Sequence, residues 1–266
     1  MSRYERMFAR LAPAGEGAFG AFVMLGDPDL PTSAALLDLL VEAGADMLEV
    51  GIPFSDPIAD GPVIQAAANR ALEVGTTPRD CFGLLAGFRA RHPQMPVGIL
   101  TYANLVVARG HDDFYRRAAA AGVDSVLVAD VPSIEVAPFA AAARANGIDP
   151  VLIAAANTPP SRLEEIARIG GGYTYCIARA GVTGAETEAH FDHGRMLAAL
   201  RAAGAPPPVL GFGISTPDHV RAALAAGAAG AISGSAIVDL VAKGRLDAVQ
   251  ALVAAMKAAT RRRQAA

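Results

Sequence analysis

One carboxylate interrupts an otherwise apolar run of residues. Glu49 stands within Met47-Leu48-Glu49-Val50, a pattern that is typical of a buried strand. A buried carboxylate without a cationic partner has a raised pKa, which suits proton transfer near neutral pH. Glu49 could instead pair with a buried arginine or face water at a strand end. Because no arginine is close in the sequence, we favour a role as general acid or base.

Two further acids lie in a proline-rich segment shortly after Glu49. Asp56 and Asp60 belong to a loop whose conformations are restricted by three prolines, Pro53, Pro57 and Pro62. Aspartates in such positions often form turns with their own backbone or cap a helix. That interpretation is kept for Asp27 and Asp130, whereas the roles of Asp56 and Asp60 stay open at this point.

Glycines near the end of the chain predict an anion site. Gly213 follows one apolar strand-like run, and Gly234 with Ser235 stands between the next run and a helical segment that includes Ala236. Helix N-termini present free N–H groups and a positive dipole end to phosphate. These glycines could instead serve only tight turns, with Ser235 capping its helix. Since both segments show the pattern together, we favour phosphate binding.

Other common catalytic groups are poorly placed. The two lysines, Lys243 and Lys257, follow the last strand-like run, so a Schiff-base mechanism on an inner strand is excluded. No cysteine or histidine pattern predicts a metal site, because Cys81 and Cys176 are isolated and the histidines lie outside the strands at His92, His111, His190, His193 and His219. Chemistry in this chain would therefore depend on carboxylates.

The elements that must position these groups repeat along the chain. Eight strand-like runs lie near 19–24, 46–50, 97–101, 125–129, 150–153, 173–177, 208–212 and 230–233, and helical periodicity fills most of the intervals. Three helices are predicted to end in Ala-Gly just before a strand, at Gly44, Gly122 and Gly227. Eight such units predict a single (β/α)₈ barrel over residues 1–266, with its active site at the carboxyl ends of the strands.

Two details refine this fold prediction. The interval after the second strand holds two helical segments, about 62–74 and 78–91, so an extra helix is expected there. The N-terminal residues 1–11 form a further amphipathic helix rather than a signal peptide. A doubly wound open sheet is the main alternative, weakened because the first strand is not followed by a Gly-x-Gly-x-x-Gly turn.

Composition bounds the class of function. Hydrophobic residues make up 53% of the 266, enough for a large core, and a net charge of −3 without charged blocks predicts no nucleic-acid surface. No apolar stretch is long enough to span a bilayer, and two scattered cysteines favour a reducing compartment. These features predict a cytoplasmic enzyme that acts on a small phosphorylated substrate.

The loops resemble those of one family, the tryptophan synthase alpha chain. The similarity covers residues 4–257 in order, without a large insertion. Its motifs are Leu25-Gly26-Asp27-Pro28, Glu49-Val50-Gly51-Ile52-Pro53-Phe54-Ser55-Asp56-Pro57, Asp60-Gly61-Pro62, Tyr102-Ala103-Asn104, Arg179-Ala180-Gly181-Val182-Thr183-Gly184, Gly211-Phe212-Gly213-Ile214 and Ser233-Gly234-Ser235-Ala236.

This resemblance implies a reaction and a partner. The family cleaves indole-3-glycerol phosphate to indole and glyceraldehyde 3-phosphate without a cofactor of its own. It works in a complex, expected to be an α₂β₂ heterotetramer, with a beta chain that carries pyridoxal phosphate. The catalytic carboxylates would be Glu49 and Asp60. The phosphate site would include Gly184, Gly213, Gly234 and Ser235, and the indole pocket Phe22, Ile64, Leu100, Leu127, Tyr175 and Phe212.

Two loops receive more specific hypotheses. The segment 179–192 is predicted to be a lid in which Thr183 closes over the substrate, because the segment is longer than most connections in such folds. Asp56 and Pro57 are predicted to lie at the interface with the beta chain. Two alternatives stay open: an indole-releasing lyase that has no partner, and a regulatory subunit that has no activity of its own.

Overall fold

The computed structural model describes residues 1–177 and 193–261, and for His193 only the backbone. These residues form nine parallel strand segments in one sheet. In chain order they are β1 (Ala18–Met24), β2 (Met47–Gly51), β3 (Val97–Thr101), β4 (Ser125–Val128), β5 in two parts (Asp149–Pro150 and Leu152–Ala155), β6 (Thr174–Ile177), β7 (Pro208–Gly211) and β8 (Gly230–Ser233).

The sheet closes into the predicted eight-stranded barrel. The first part of β5 pairs with β4 and the second part pairs with β6, so the two parts act as one strand. The break falls at Val151, whose N–H still donates to the Val126 carbonyl. At the other closure β1 pairs with both β2 and β8, with Ala18 opposite Gly230. The (β/α)₈ prediction is therefore confirmed, and strand five differs only in being interrupted.

Helices surround the barrel, and one of them covers the end at which the strands begin. They are α1 (Arg3–Leu11), α2 (Leu30–Glu42), α3 (Pro62–Glu73), α4 (Pro78–Arg91), α5 (Ala103–Val107), α6 (His111–Ala120), α7 (Ala137–Ala145), α8 (Pro160–Ile169), α9 (His193–Ala202), α10 (Pro217–Ala225), α11 (Ser235–Ala242) and α12 (Leu246–Ala258), with a 3₁₀ turn at Ser133–Glu135. The predicted N-terminal helix and the extra helix between β2 and β3 are confirmed as α1 and as the α3–α4 pair.

Local sequence explains where these helices begin and end. Ser2 and Glu5 form a reciprocal capping box at the start of α1, and Thr77 forms another with Asp80 at the start of α4. Where a helix is followed by Ala-Gly, the glycine adopts a positive φ and ends the helix, as Gly44 does at +99°. The repeated Ala-Gly signal thus returns the chain to the start of the next strand.

Alternate residues of each strand enter two different cores. On β2, Leu48 and Val50 pack outward against the helices, whereas Met47 points into the barrel. Glu49 has the same parity as Met47 and therefore also faces the interior. Helix α1 closes this interior at the end where the strands begin, since Tyr4, Met7 and Leu11 belong to the inner core. Within the described part of the chain, no helix combines the length and apolarity needed to cross a membrane.

Candidate active site

A cavity opens at the carboxyl ends of the strands, where the fold predicts the active site. Both candidate carboxylates line it, together with residues from β1, β3, β6 and the segments that follow β2, β7 and β8. The lining is Phe22, Glu49, Asp60, Gly61, Ile64, Leu100, Tyr175, Phe212, Gly213, Ile214, Ser215, Ile232, Gly234, Ser235 and Ala236. One cavity therefore brings together the acids, the apolar side chains and the glycine-containing segments.

Glu49 is hydrogen-bonded through one of its two carboxylate oxygens. The Tyr173 hydroxyl donates to Oε1 of Glu49 at 2.6 Å, whereas Oε2 has no hydrogen-bond partner among residues 1–177 and 193–261. Only 2% of Glu49 is exposed. Burial raises the pKa of Glu49 to about 7, the Tyr173 hydrogen bond opposes the rise, and the negative charge of Asp60 adds to it. Glu49 can thus give or take a proton at neutral pH.

The carboxyl group of Asp60 contacts a second tyrosine. Burial raises the pKa of Asp60 to about 6, and a hydrogen bond with the Tyr102 hydroxyl opposes this rise. The same hydroxyl accepts from the Ala59 N–H at 3.2 Å, and the Tyr102 ring stacks on Phe54 at 5.3 Å between centroids. Tyr102 therefore joins both ends of the proline-rich loop to the start of α5.

The segment after β7 turns sharply above the cavity. Phe212 and Gly213 both have positive φ values, 60° and 77°. This conformation is costly for a phenylalanine, and it places the Phe212 ring edge-on against Tyr175 at 5.9 Å. Glycine is required at 211 for a different reason, since a Cβ there would lie 2.2 Å from the Tyr175 ring. The tight packing fixes the apolar wall next to the glycine-containing segment.

After β8, Gly234 is the N-cap of α11, and the start of this helix lines the cavity. Gly234 makes no side-chain cap because it has no side chain, and Ser235 and Ala236 begin the helix. A Cβ on Gly234 would lie 3.3 Å from the Phe22 ring. Free N–H groups at such an end attract an anion.

Five of the six side chains predicted for the indole pocket lie together in this cavity. Phe22, Ile64, Leu100, Tyr175 and Phe212 line the cavity. Leu127 pairs with Leu100 in the sheet and packs in the inner core, but it is not a lining residue.

Five lining residues were not predicted from the sequence: Gly61, Ile214, Ser215, Ile232 and Ala236. Each is at most two residues from a predicted site position in the same segment, and that adjacency was the available signal. Three predictions, the roles of Thr183 and Gly184 and the lid over 179–192, concern positions outside the described residues.

One interpretation was wrong. Asp27 was expected to form a turn or a helix cap, but its two carboxylate oxygens accept from the Arg70 guanidinium at 2.7 and 2.8 Å, and only 2% of the residue is exposed. The pair ties the segment after β1 to α3. Asp130, for which a turn or a helix cap was also expected, accepts a hydrogen bond from the N–H of Ala103 at the start of α5.

The fold and the cavity define a class: a (β/α)₈-barrel enzyme with a pair of buried carboxylates beside an open helix N-terminus. Comparison with known proteins makes the assignment specific. The sequence profile of the tryptophan synthase alpha chain matches residues 8–266. The alpha chain of Shewanella amazonensis is 54% identical over 266 residues, with 98% of this chain and all of the relative covered.

A second relative and two solved structures agree. The alpha chain of Aeromonas hydrophila is 54% identical, with 98% of this chain and all of the relative covered. Tryptophan synthase of Mycobacterium tuberculosis superposes with a TM-score of 0.89 at 30% identity, covering 98% of this chain and 99% of the other. The alpha subunit of Legionella pneumophila gives 0.87 at 28% identity, with 98% of each chain covered.

The chain belongs to the tryptophan synthase alpha chain family. It is the subunit that cleaves indole-3-glycerol phosphate to indole and glyceraldehyde 3-phosphate, and the indole passes to a beta chain for tryptophan synthesis. The pyridoxal phosphate of the synthase belongs to that beta chain, not to this one.

The Tyr173 hydrogen bond gives a prediction about pH. In Tyr173→Phe the bond that lowers the pKa of Glu49 is lost, so the pKa rises above about 7. We expect the limb of the kcat/KM profile that reports Glu49 to move to higher pH by roughly one unit, the size of one hydrogen bond. Tyr115→Phe is the matched control, because Tyr115 is buried in the outer core away from Glu49. An unchanged midpoint in Tyr173→Phe contradicts the assignment of that limb to Glu49.

Proposed function

We propose that Glu49 and Asp60 carry out the cleavage step in the cavity. The observation that carries this proposal is the state of Glu49: buried, bonded through Oε1 to Tyr173 and unpartnered at Oε2 among the described residues. A buried polar atom without a partner costs free energy, so its retention at a cavity wall supports a function. Oε2 is the atom available to the substrate.

The reaction needs two proton transfers that one carboxylate can serve in turn. Cleavage of the bond between the indole ring and the glycerol carbon is a retro-aldol step. A proton delivered to the ring carbon converts the ring into an electron sink, and a base then removes the proton of the adjacent hydroxyl. With a pKa of about 7, Glu49 is poised between its acid and base forms. Asp60 accepts the indole N–H and stabilises the positive charge that develops on the ring.

Asp60 has to be charged for this role. Its pKa of about 6 leaves it mostly ionised at neutral pH. Because its charge also raises the pKa of Glu49, the two acids favour opposite protonation states at the same pH. This separation is what an acid and an electrostatic stabiliser require from two neighbouring carboxyl groups.

We propose further that the substrate phosphate binds between the segments after β7 and β8. Gly213, Gly234 and Ser235 supply backbone N–H groups and one hydroxyl, and the open end of α11 supplies a favourable dipole. The indole ring then lies against the apolar wall that includes Phe22, Leu100 and Tyr175. Gly184 and Thr183 complete this assignment by resemblance only.

Assaying the chain with indole-3-glycerol phosphate, with and without a beta chain, tests the proposal. Free indole from the chain alone would exclude a purely regulatory subunit, and stimulation by the beta chain would exclude a lyase that works without a partner. The presence of both carboxylates in one cavity supports activity in this chain itself. We also propose that residues 1–266 form one domain and that the enzyme is cytoplasmic, in line with a biosynthetic family and two buried free cysteines.

The surface around the proline-rich loop supports a place for the beta chain. Large exposed apolar side chains occur in segments that follow three neighbouring strands: Ile58 after β2, Val107 after β3 and Ile134 after β4, with 71%, 43% and 59% exposed. Exposed apolar groups on adjacent loops are typical of an interaction surface. We propose that the beta chain binds there and contacts Asp56 and Pro57.

The hydrogen bonds of Tyr102 supply a route from this surface to the active site. Ala59, next to the exposed Ile58, donates to the Tyr102 hydroxyl, and the same hydroxyl bonds the carboxyl group of Asp60. A partner that shifts the tip of the loop would therefore reposition Asp60. By linkage, ligands in the cavity would strengthen beta-chain binding by the same coupling energy.

Asp56 tests this route. Its side chain is exposed and bonds only the neighbouring Ser55 hydroxyl in the described part of the chain. We expect Asp56→Ala to keep the basal rate of indole release and to lose most of the stimulation by the beta chain. The control is Glu42→Ala, which removes an exposed acid at the opposite end of the barrel, where α2 ends. The measured quantity is the ratio of rates with and without beta chain, and an unchanged ratio in Asp56→Ala would refute the coupling.

A further inference from the structure

We propose that Tyr4 and Ser125 are positioning residues for the reaction, because the hydrogen bond between them leaves the Tyr173 hydroxyl to Glu49 alone. The inference rests on the proposed function of Glu49 and extends its support to helix α1, at the end of the barrel where the strands begin. Tyr4 lies in α1 and Ser125 is the first residue of β4, and neither is among the residues that line the cavity.

The register of the barrel places Ser125 and Glu49 at the same level. Glu49 on β2 is opposite Gly98 on β3, and Gly98 is opposite Ser125 on β4. Residues that are opposite each other on parallel strands point to the same face of the sheet, and Leu127, two residues after Ser125, belongs to the inner core. Because Gly98 has no side chain, a gap inside the barrel separates the Glu49 carboxyl group from the Ser125 hydroxyl.

Two tyrosine hydroxyls occupy this gap. A Cβ on Gly98 would lie 2.6 Å from Oγ of Ser125 and 3.0 Å from the hydroxyl oxygen of Tyr4. The hydroxyl oxygen of Tyr173 would lie 3.8 Å from the same Cβ. The rings of Tyr4 and Tyr173 also contact each other, with 5.4 Å between their centroids. Any side chain at position 98 would therefore displace a hydroxyl, and three hydroxyl groups meet beside Glu49.

The three hydroxyls are divided between two hydrogen bonds. The Tyr4 hydroxyl and Oγ of Ser125 are 2.8 Å apart, whereas the Tyr173 hydroxyl donates to Oε1 of Glu49 at 2.6 Å. At most 2% of each of these four residues is exposed, so bulk water does not supply partners. Because buried hydroxyls require partners, the bond between Tyr4 and Ser125 satisfies both groups and prevents either from competing for Tyr173.

Burial keeps both tyrosines protonated. It raises the pKa of Tyr4 and of Tyr173 well above the ordinary value for tyrosine, and nearby negative charges add to the rise. The ionisable side chains that act on these tyrosines and on Glu49 from the surrounding elements are Asp60, Asp149, Tyr175, and Asp124 with its partners Arg3 and Arg89. Both hydroxyls therefore remain donors throughout the pH range in which Glu49 titrates.

Removing the Tyr4 hydroxyl should make Ser125 a competitor of Glu49. In Tyr4→Phe the buried Ser125 hydroxyl has lost its partner and becomes a second acceptor for the Tyr173 hydroxyl. The bond that lowers the pKa of Glu49 is then shared, so this pKa should rise above about 7. We expect a rise of roughly 0.4 to 1 unit, the range for one hydrogen bond partly or wholly lost. Tyr4→Phe/Ser125→Ala removes both hydroxyls, so its Glu49 should titrate as in the parent.

The test is a ¹³C NMR titration of the full chain, labelled at the side-chain carboxyl carbon of glutamate. The resonance of Glu49 is identified by its absence in Glu49→Gln. We expect its midpoint to move to higher pH in Tyr4→Phe and to return to the parent value in Tyr4→Phe/Ser125→Ala. Tyr115→Phe is the matched control, because Tyr115 is buried in the outer core and should leave the midpoint unchanged.

If Tyr4 and Ser125 only support the packing of α1, losing both hydroxyls should disturb Glu49 at least as much as losing one. The inference is therefore overturned by an unchanged midpoint in Tyr4→Phe, or by a double variant whose midpoint is displaced as far as that of Tyr4→Phe. The titration reports the ionisation of Glu49 whether or not this residue is catalytic. Failure of the proposed function would appear separately, as near-normal turnover in Glu49→Gln.

Discussion

Replacing Glu49 by glutamine is expected to lower the rate of indole release by roughly 10²–10⁴-fold, the usual contribution of one general acid or base. Glutamine has nearly the same volume and can still accept the Tyr173 hydrogen bond, so the cavity keeps its shape. What it loses is the exchangeable proton at Oε2, the oxygen that has no hydrogen-bond partner among the described residues. Binding of glycerol 3-phosphate should change little.

The same variant should be more stable than the parent at alkaline pH. Burial raises the pKa of Glu49 from 4.5 to about 7, so the folded state favours the protonated form. The stability that this preference provides is fully present below about pH 4.5 and is lost as the pH rises through about 7. Glutamine stays neutral throughout. The free energy of unfolding of Glu49→Gln should therefore exceed that of the parent by up to roughly 3 kcal/mol at pH 8.

These two measurements separate chemistry from folding. Steady-state assays give the loss in rate, and urea unfolding at pH 8 and pH 5 gives the stability. Glu42→Gln is the control, because it makes the same chemical change on an exposed residue at the end of α2. Near-normal turnover in Glu49→Gln would remove Glu49 from the mechanism, whatever the unfolding data show.

Gly234→Asp is expected to raise the KM for indole-3-glycerol phosphate by roughly 10- to 100-fold, the loss of one or more hydrogen bonds to a charged group. The new carboxylate would stand at the N-cap of α11, beside the proposed phosphate position, and would repel the dianion. The φ of −120° at Gly234 lies outside the left-handed region, and a Cβ would lie 3.3 Å from the Phe22 ring, which has to shift by a few tenths of an ångström. Gly213 is a less suitable choice, because its positive φ would add strain.

The control for Gly234→Asp is Gly83→Asp. A Cβ at Gly83 would meet no atom within 4 Å, and Gly83 lies in α4, away from the cavity lining. Circular dichroism should show both variants folded. If glycerol 3-phosphate binds Gly234→Asp as tightly as the parent, the phosphate site lies elsewhere.

The sequence predicts the barrel well because the signals for its elements are local. An apolar run, a capping residue or an Ala-Gly pair acts within a few residues, so strand positions and the α3–α4 pair could be placed without a structure. The interruption of β5 at Val151 could not, because it reflects pairing with two different neighbours, β4 and β6.

Contacts between residues that are distant in the sequence could not be predicted. Asp27 is paired with Arg70, 43 residues away, and Glu49 is bonded to Tyr173, 124 residues away. The carboxylates themselves could be predicted, since Glu49 breaks an apolar strand and Asp60 follows from the family motif. Their hydrogen-bond partners could not, because Tyr102 follows β3 and Tyr173 precedes β6, both distant in the sequence from the carboxylates that they bond.

The seam between β1 and β8 has a consequence for synthesis of the protein. Ala18 to Ala21 pair with Gly230 to Ser233, and below the seam Gly17 donates to the carbonyl of Thr260 while Glu16 bonds Lys257 and Arg261. Strand β1 leaves the ribosome before the other seven strands of the barrel, yet its partner β8 is the last of these to emerge. Until then β1 has one unpaired edge, and such edges favour aggregation. A growing chain must therefore keep this edge protected until β8 has emerged, and rapid translation of the segments before β8 would shorten that exposure.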